Sequence, residues 1–400
     1  MTEDRPNRRE KPNLVRRTAF PDSVSLAVGT PLQPAVVYSS PDANALDDQY
    51  EGRARGYTYA REGHPNADVV AAKIDALEAS PNPGLVLGSG MAAISSVFLG
   101  LLKSGDHIVA GDQLYGRSLR LLTQDLPRFG VDHTFVDAGD AQAVADAIRP
   151  ETKMVMIEVV SNPTLRIADL DGIAAVCQER GVLLMVDNTF TTPRALQPFD
   201  HGADIIIHSI TKLLAGHSDV TLGYMAVQDQ SLRQPIVDAA VTWGFTPSPW
   251  DCWMAERGMH SFDLRFERAQ DNAAAIADHL AGLDGVEAVL YPGRDDHPDA
   301  ARAKALLGDN PGNMVSFRIK GERAQANAFI RAAGQIPFAP TLGDIGTTLS
   351  HPASSSHRGL TPEGRAALGI TEGFFRLSVG IEDVRLIQSE LTAAVEASQA

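Results

Sequence analysis

Short apolar runs alternate along the chain with segments in which apolar residues recur at helical spacing. The segments 182–186 and 204–208 predict buried strands, because aliphatic and β-branched residues fill them and polar residues follow. The polar side chains that follow the two strands are Asp187 after the first, and Ser209, Thr211 and Lys212 after the second. Because the carboxyl ends of parallel strands meet at one edge of an open sheet, we expect these side chains to converge.

The rest of the pattern predicts two domains of alternating strands and helices. The further strands expected in the first domain are 84–87, 107–110, 134–136, 153–160 and 222–227, with helices at 69–78, 141–148 and 173–180. This alternation, with short links, predicts a parallel sheet covered by helices on both faces. Prolines predict a loop at 245–250. A helix at 251–275 then leads to a smaller α/β domain that includes strand 314–319.

The polar set at the predicted sheet edge suits one cofactor, pyridoxal phosphate (PLP). PLP needs a lysine for its covalent link, a carboxylate facing the ring nitrogen, and hydroxyls or backbone amides around its phosphate. Lys212, Asp187 and the hydroxyls of Ser209 and Thr211 could supply these groups. Taken alone, Lys212 has the alternative of an ordinary surface lysine, and Asp187 has the alternative of a helix cap. A glycine-rich dinucleotide fingerprint is missing, which argues against a nicotinamide enzyme.

Two motifs make the interpretation more specific. They are Asp187-Asn188-Thr189-Phe190 and His208-Ser209-Ile210-Thr211-Lys212, the latter followed by Gly216-His217-Ser218-Asp219. Together they resemble the PLP-dependent trans-sulfuration family, which includes cystathionine γ-synthases, cystathionine lyases, methionine γ-lyases and homoserine sulfhydrylases. The resemblance extends over nearly the whole chain.

This resemblance implies an α/β fold of the fold-type-I PLP-dependent transferase class. We expect a large, mostly parallel, seven-stranded sheet wrapped by helices, and a smaller C-terminal α/β domain. The implied organisation is an N-terminal arm at 1–64 that contacts a neighbouring subunit, a PLP-binding domain at 65–256 and a C-terminal domain at 257–400.

The resemblance also implies cofactor contacts. Ser89-Gly90-Met91, between a predicted strand and a helix, matches the family's phosphate cradle, and the amides of a helix N-terminus bind anions well. Tyr115 matches the tyrosine that lies on the cofactor ring and can shuttle a proton; a core aromatic residue is the alternative. Asn162 matches an asparagine that hydrogen-bonds the ring oxygen or the substrate carboxylate.

Tyr59 and Arg61 match a tyrosine and an arginine that reach the cofactor phosphate of a neighbouring subunit. An arginine suits this role because its planar fork grips phosphate oxygens at two points. His64-Pro65-Asn66 replaces the family's Asn-Pro-Thr, which is a local departure. The resemblance therefore implies a homo-oligomer that is at least a dimer sharing active sites, and usually a tetramer.

Three residues bear on the substrate. Arg376 begins the family's Arg-Leu-Ser-Val-Gly motif and is implied to bind the α-carboxylate, and Thr341 replaces a serine near the lysine. Arg120 lies at the offset from Tyr115 where cystathionine γ-synthases and γ-lyases carry an arginine for a distal carboxylate; an arginine on a helix surface is the alternative. Gly346 stands where many of these enzymes have a glutamate.

The implied activity is a PLP-dependent γ-elimination or γ-replacement, of the cystathionine γ-lyase or γ-synthase type, on a sulfur amino acid or an activated homoserine. Lys212 would be the base and Tyr115 the proton donor. Arg120 favours a substrate with a distal anion, whereas Gly346 leaves the far amino group of cystathionine without a partner. Methionine γ-lyase or O-acylhomoserine sulfhydrylase activity is the alternative within the family. A fold-type-I aminotransferase and a non-catalytic cofactor-binding protein are the alternatives outside it.

Composition limits the partners, metals and cellular compartment that can be expected. A formal net charge of −15 argues against nucleic acid and anionic membranes as partners. Two cysteines, Cys177 and Cys252, are too few for a disulfide framework or a zinc site, so we expect a reducing compartment and no metal. Without a signal peptide or an apolar run of about 18 residues, a soluble cytoplasmic protein is expected. Residues 1–17 should be disordered or draped over a neighbour, with a nucleic-acid arm as the alternative.

Overall fold

The structure is a computed structural model that describes residues 21–400. Residues 21–32 contain no helix or strand, and most of their side chains are exposed. The expectation for residues 1–17, and the first part of the predicted arm at 1–64, lie outside the described residues. From residue 33 onward the chain begins with two helices, α1 (Ala43–Tyr50) and α2 (Pro65–Leu77).

The larger sheet has seven strands, as predicted. They are β1 (Leu85–Leu87), β2 (His107–Gly111), β3 (Asp132–Val136), β4 (Thr152–Glu158), β5 (Leu183–Asp187), β6 (Ile205–Ser209) and β7 (Gly223–Val227). Their order across the sheet is β1-β7-β6-β5-β4-β2-β3. Only β7 runs antiparallel to its neighbours β6 and β1, so the expectation of a mostly parallel sheet is confirmed.

Helices cover both faces of this sheet. They are α3 (Gly90–Leu101), α4 (Gly116–Arg120), α5 (Ala141–Ala147), α6 (Leu170–Arg180), α7 (Thr192–Ala195) and α8 (Arg233–Trp243). Successive side chains of a strand point to opposite faces. In β5, Met185 therefore packs into one apolar core and Leu184 and Val186 pack into another. Burial on both faces explains why the strands are almost continuously apolar in the sequence.

The predicted helix at 251–275 is two helices, α9 (Pro249–Met259) and α10 (Phe262–Ala281). α9 begins earlier than expected because Pro249 occupies its first turn, where proline is tolerated, and Ser248 caps it. Side chains satisfy the backbone where the helix breaks. The carbonyl of Gly258 accepts hydrogen bonds from Ser261 Oγ (3.2 Å) and from Arg265 Nη2 (3.0 Å). The predicted loop at 245–250 therefore ends at Ser248.

The smaller sheet has four strands in the order β10-β11-β9-β8, all antiparallel. They are β8 (Val286–Leu290), β9 (Met314–Ile319), β10 (Thr348–Ser350) and β11 (Phe374–Ser378). The helices here are α11 (Ala300–Leu307), α12 (Arg323–Ala332), α13 (Pro362–Ala367) and α14 (Val384–Gln399). Phe317, Phe329 and Phe375 pack ring against ring in its core. The smaller α/β domain is thus confirmed, whereas its boundary at residue 257 stays a prediction.

Within residues 21–400, no helix is both long enough and apolar enough to cross a membrane.

Candidate active site

A cavity of about 240 Å³ lies at the carboxyl ends of the central strands and is closed on its other side by segments of the smaller domain. It brings together almost all the side chains that the sequence predicted. The predicted residues that line it are Ser89, Gly90, Met91, Tyr115, Asn162, Asp187, Ser209, Thr211, Lys212, Thr341 and Arg376. Tyr59, Arg61 and Arg120 are not among the lining residues.

Lys212 lies in the turn that follows β6, and its side chain is half-buried. Burial lowers the pKa of its amine, and the positive charge of Arg376 lowers that pKa further. Gly343 packs so closely on the lysine backbone that a Cβ atom there would lie 3.0 Å from Lys212 Cα, and its φ of 78° also favours glycine. The backbone that carries the amine is therefore fixed by both domains.

Asp187 ends β5, beside Ile207 of β6. Its Oδ1 accepts hydrogen bonds from the backbone N–H of Thr189 (3.0 Å) and from Thr189 Oγ1 (2.5 Å). The surrounding protein excludes water and raises the pKa of the carboxyl group, while the two Thr189 bonds and the nearby His208 act in the opposite direction. Thr189 Oγ1 also accepts a hydrogen bond from the N–H of Ser209 (2.9 Å), so one hydroxyl ties the two strand ends together.

The N-terminus of α3 points into the same cavity. Ser89 caps the helix, with its Oγ accepting a hydrogen bond from Ala92 N (3.0 Å). The amides of Gly90 and Met91 come first in the helix, where backbone N–H groups have no intrahelical acceptor. A Cβ atom at Gly90 would lie 2.8 Å from Ser209 Cβ, so only glycine allows this helix end to approach β6 so closely.

Thr211 lines the cavity, but its hydroxyl already has backbone partners. Thr211 Oγ1 donates to the carbonyl of Leu222 (3.2 Å) and accepts from the N–H of the same residue (3.0 Å). This pair of bonds holds the turn that carries Lys212 against the segment leading into β7.

Arg376, in the middle of β11, is buried at the cavity wall. Its Nη1 donates to Asn162 Oδ1 (2.6 Å) and its Nη2 to the carbonyl of Thr341 (2.8 Å). Its Nε has no hydrogen-bond partner among residues 21–400. Burial lowers the pKa of the guanidinium to about 10, so the group is still cationic at neutral pH. A buried cation with an unused N–H suits an anionic ligand such as a carboxylate.

Glu158 lines the cavity as well, although no role was predicted for it. It ends β4 in register with Asp187, and its Oε1 accepts a hydrogen bond from the backbone N–H of Tyr115 (2.6 Å). Exclusion of water and the neighbouring charge of Asp187 raise its pKa well above the ordinary value. The rule that found Asp187, a carboxylate at the end of a buried strand, could have found Glu158 as well.

The predicted residues outside the cavity lie on exposed segments. Arg120 ends α4, and its Nε is 3.6 Å from Asp125 Oδ2. The guanidinium of Arg61 lies 5.2 Å from the centre of the Tyr59 ring, and both side chains are exposed. The contact of Tyr59 and Arg61 with a neighbouring subunit stays a prediction.

Several lining residues had no predicted role. They are Ile94, Val160, Thr189, Phe190, Thr221, Pro340, Leu342, Ser350, Ser355 and Ser356, in addition to Glu158. Those of the smaller domain lie in loops or at a strand end, where no periodic pattern marks a side chain as facing a cavity. Across residues 21–400, no group of histidine, cysteine, aspartate or glutamate side chains could hold a metal ion.

These residues fit PLP. The half-buried amine of Lys212, the carboxyl group of Asp187 and the glycine-bounded N-terminus of α3 are the groups that the cofactor requires, and all face one cavity. The fold and this cavity together define a PLP-dependent enzyme of the fold-type-I class. The family described as Cys/Met metabolism PLP-dependent enzyme matches residues 13–396. The chain belongs to this family, whose members are lyases and synthases of trans-sulfuration, and its cofactor is PLP.

Individual relatives agree with the family. The chain is 38% identical to the cystathionine γ-lyase of Bacillus subtilis over 375 residues, which cover 94% of this chain and 96% of that protein. It is 37% identical to the L-methionine γ-lyase of Porphyromonas gingivalis over 366 residues, 91% of each chain. The crystal structure of cystathionine γ-synthase from Xanthomonas oryzae pv. oryzae in complex with cystathionine matches with a TM-score of 0.88 at 35% identity, covering 94% of this chain and 95% of that one.

Proposed function

We propose that this protein removes or replaces the γ-substituent of a sulfur amino acid or an activated homoserine. The observation that carries the proposal is the position of Lys212. Its amine, with a lowered pKa, faces the same cavity as the buried guanidinium of Arg376 and the hydroxyl-bearing ring of Tyr115. A base, a carboxylate-binding group and a proton donor are the three groups that such a reaction needs.

Named residues would hold the cofactor. Lys212 would carry the covalent link, Asp187 would face the ring nitrogen, and the amides of Gly90 and Met91, with the hydroxyl of Ser209, would bind the phosphate. Tyr59 and Arg61 of a second copy of the chain would complete the phosphate site. When bound, PLP withdraws electrons from the Cα of the substrate and stabilises the carbanion that forms there.

Arg376 would orient the substrate by its α-carboxylate. Its Nη1 and Nη2 are held by Asn162 and Thr341, so the guanidinium cannot swing away and its charge stays at the cavity wall. This arrangement fixes the α-carbon relative to Lys212, which is the positioning that proton transfer requires.

The proton transfers would belong to two residues. The amine of Lys212, whose lowered pKa makes the neutral form accessible, would take the proton from Cα. The hydroxyl of Tyr115 would give a proton to the departing sulfur or oxygen. The backbone of Tyr115 is anchored by its hydrogen bond to Glu158, so the ring is held at the cavity wall.

A second candidate, methionine γ-lyase activity, is favoured by the distal wall, meaning the part of the cavity lining that would face the γ-substituent. The ionisable residues that line the cavity are Tyr115, Glu158, Asp187, Lys212 and Arg376. Asp187, Lys212 and Arg376 belong to the proposed cofactor and α-carboxylate sites. Tyr115 is the proposed proton donor, and Glu158 holds its backbone. Apart from the amide of Asn162, the other side chains of the wall are hydroxyl-bearing or apolar. Arg120 does not line the cavity, and the cationic lining residues among residues 21–400, Lys212 and Arg376, both have other proposed roles. This arrangement suits a short, uncharged substituent.

The test is a comparison of substrates. The purified protein with PLP is given cystathionine, O-succinylhomoserine plus cysteine, or methionine, and 2-oxobutanoate and new thioether are measured. We expect turnover of at least one substrate, and we expect Lys212→Ala to lose it by about 100- to 10,000-fold or more, because the base is gone. Circular dichroism checks that the variant is folded.

Two results would contradict the proposal. One is a folded Lys212→Ala variant that keeps wild-type turnover. The other is a wild-type protein that forms neither product but transfers the amino group to an added 2-oxo acid, which is aminotransferase behaviour.

A further inference from the structure

A serine–histidine pair in the smaller domain contributes to the cavity wall. Ser356 lines the cavity, and its Oγ lies 2.9 Å from Nδ1 of the next residue, His357. The imidazole is buried, with 4% of His357 exposed, while Ser356 is half-buried. Neither residue has a part in the steps proposed above.

His357 is an uncharged hydrogen-bond partner of Ser356. Burial and the positive charge of Arg376 lower the pKa of His357 to about 4, so the imidazole is uncharged at neutral pH. A neutral imidazole has one nitrogen that donates and one that accepts. When Nδ1 carries the proton, it donates to Ser356 Oγ, and the serine O–H is left to donate into the cavity.

The hydroxyl of the neighbouring Ser355, by contrast, is not left to donate into the cavity. Ser355 also lines the cavity, but its Oγ donates to the backbone carbonyl of His351 (2.8 Å), so its proton is already used. The segment itself is fixed, because the N–H of His357 donates to the carbonyl of Pro352 (2.9 Å). Of the two serines of this segment that line the cavity, Ser356 is therefore the one whose hydroxyl is held by a side chain.

Ser356 also lies on the side of the cavity where the substituent would leave. A Cβ atom at Gly116 would lie 2.7 Å from the carbonyl oxygen of Ser356, so the two backbones touch. Gly116 directly follows Tyr115, the residue proposed to protonate the departing atom. The close contact places Ser356 beside the segment that carries Tyr115, and both residues line the cavity.

We propose that Ser356, oriented by His357, donates a hydrogen bond to the heteroatom bonded to Cγ of the substrate and so selects substrates with sulfur or oxygen there. This inference rests on the proposed function of the site. Ser356 is the contact residue, and His357 is a positioning residue that acts through it.

The test compares ligands that differ only at the atom bonded to Cγ. Norleucine has the shape of methionine with CH₂ in place of sulfur, so it offers the serine no acceptor. For Ser356→Ala we expect kcat/KM to fall about 2- to 13-fold with the wild type's best γ-heteroatom substrate, the range for one neutral hydrogen bond. The dissociation constant of norleucine, measured from the change in cofactor absorbance on titration, should stay unchanged. Ser356→Thr keeps the hydroxyl and should stay near wild type.

Ser354→Ala is the matched control, because Ser354 is exposed and is not a lining residue. Norleucine binding that weakens as much as substrate turnover would place Ser356 at the α-carboxylate and overturn the inference. Equal kinetics for Ser356→Ala and wild type would overturn it too. A wild-type protein without any turnover is a different result, since it rejects the proposed function itself.

His357 is tested by a double-mutant cycle. His357→Leu removes the donor at Nδ1, and His357→Asn places an amide N–H in a similar position. We expect His357→Leu to lose as much as Ser356→Ala, the double variant to lose no more than either, and His357→Asn to recover most of the loss. Additive losses in the double variant would show that His357 does not act through the serine. If His357→Leu does not fold, Ser356→Ala and His357→Asn still decide the question.

Discussion

The two walls of the cavity are built differently. The larger sheet supplies its groups from strand ends: Asp187 and Glu158 stand in register on neighbouring strands, and Ser209 lies opposite Gly223. The smaller domain supplies Arg376 from a strand but Ser355 and Ser356 from a loop. A hydrogen-bonded sheet fixes positions more tightly than a loop does. The sheet wall therefore suits the unchanging cofactor, and the loop wall suits a substrate that differs among relatives.

Close backbone contacts hold the sheet wall together. A Cβ atom at Gly223 would lie 2.1 Å from the carbonyl oxygen of Ser89, and one at Gly90 would meet Ser209. Two glycines thus let the N-terminus of α3 reach the ends of β6 and β7. Gly359, three residues after Ser356 and outside the cavity lining, is the opposite case, because a Cβ atom there would meet nothing within 4 Å.

After Lys212, the largest effect is expected at Arg376, where the two walls meet. Arg376→Lys keeps the charge but loses the planar fork, and Arg376→Met loses both. For Arg376→Met we expect KM to rise about 10- to 150-fold, the range for a hydrogen bond to a charged group, with a smaller rise for Arg376→Lys. Steady-state kinetics with the best substrate measures both. An unchanged KM in Arg376→Met would mean that the α-carboxylate binds elsewhere.

The same two variants also test whether the charge of residue 376, rather than its shape, affects the pKa of Lys212. The positive charge of Arg376 contributes to the lowered pKa of Lys212, so its removal should raise that pKa. Only a neutral amine forms the covalent link, so the rate of borohydride-reducible PLP capture by the apoprotein should rise with pH. We expect the midpoint of that rise to lie below the ordinary lysine value of about 10.4 in wild type. It should move to higher pH in Arg376→Met but not in Arg376→Lys.

A smaller effect is expected from Gly223→Ala, which tests the close packing of the sheet wall. The added Cβ meets a backbone carbonyl, so the helix N-terminus must shift. Overpacking of this kind costs about 1–3 kcal/mol, and we expect a lower melting temperature together with weaker PLP binding. Gly359→Ala is the matched control and should change neither. Thermal unfolding with and without PLP measures both, and an unshifted melting curve for Gly223→Ala would contradict the close approach.

How far the sequence could predict the site follows from the same contrast. Lys212 and Asp187 were found because an apolar run that stops at a polar residue marks a strand end, and neighbouring parallel strands end together. Arg376 and Tyr115 were found through motif resemblance. Ser356 and Pro340 were not, because the direction of a loop side chain depends on long-range contacts that no local pattern records. The break between α9 and α10 was missed for a similar reason: Arg265, seven residues ahead in the chain, satisfies the carbonyl of Gly258.

The smallest effect is expected at Arg120, which tests whether the distal wall carries a charge. Its guanidinium lies 3.6 Å from Asp125 and outside the cavity lining, so we expect Arg120→Ala to change kcat/KM by less than about 2-fold for methionine, because a surface ion pair contributes little. Cystathionine and O-succinylhomoserine, which carry distal carboxylates, are the informative substrates. A loss confined to these two would show that Arg120 turns into the cavity when substrate binds, and the distal wall would then recognise charge after all. Equal, small changes for all three substrates would leave hydroxyl and apolar groups as the means of selection.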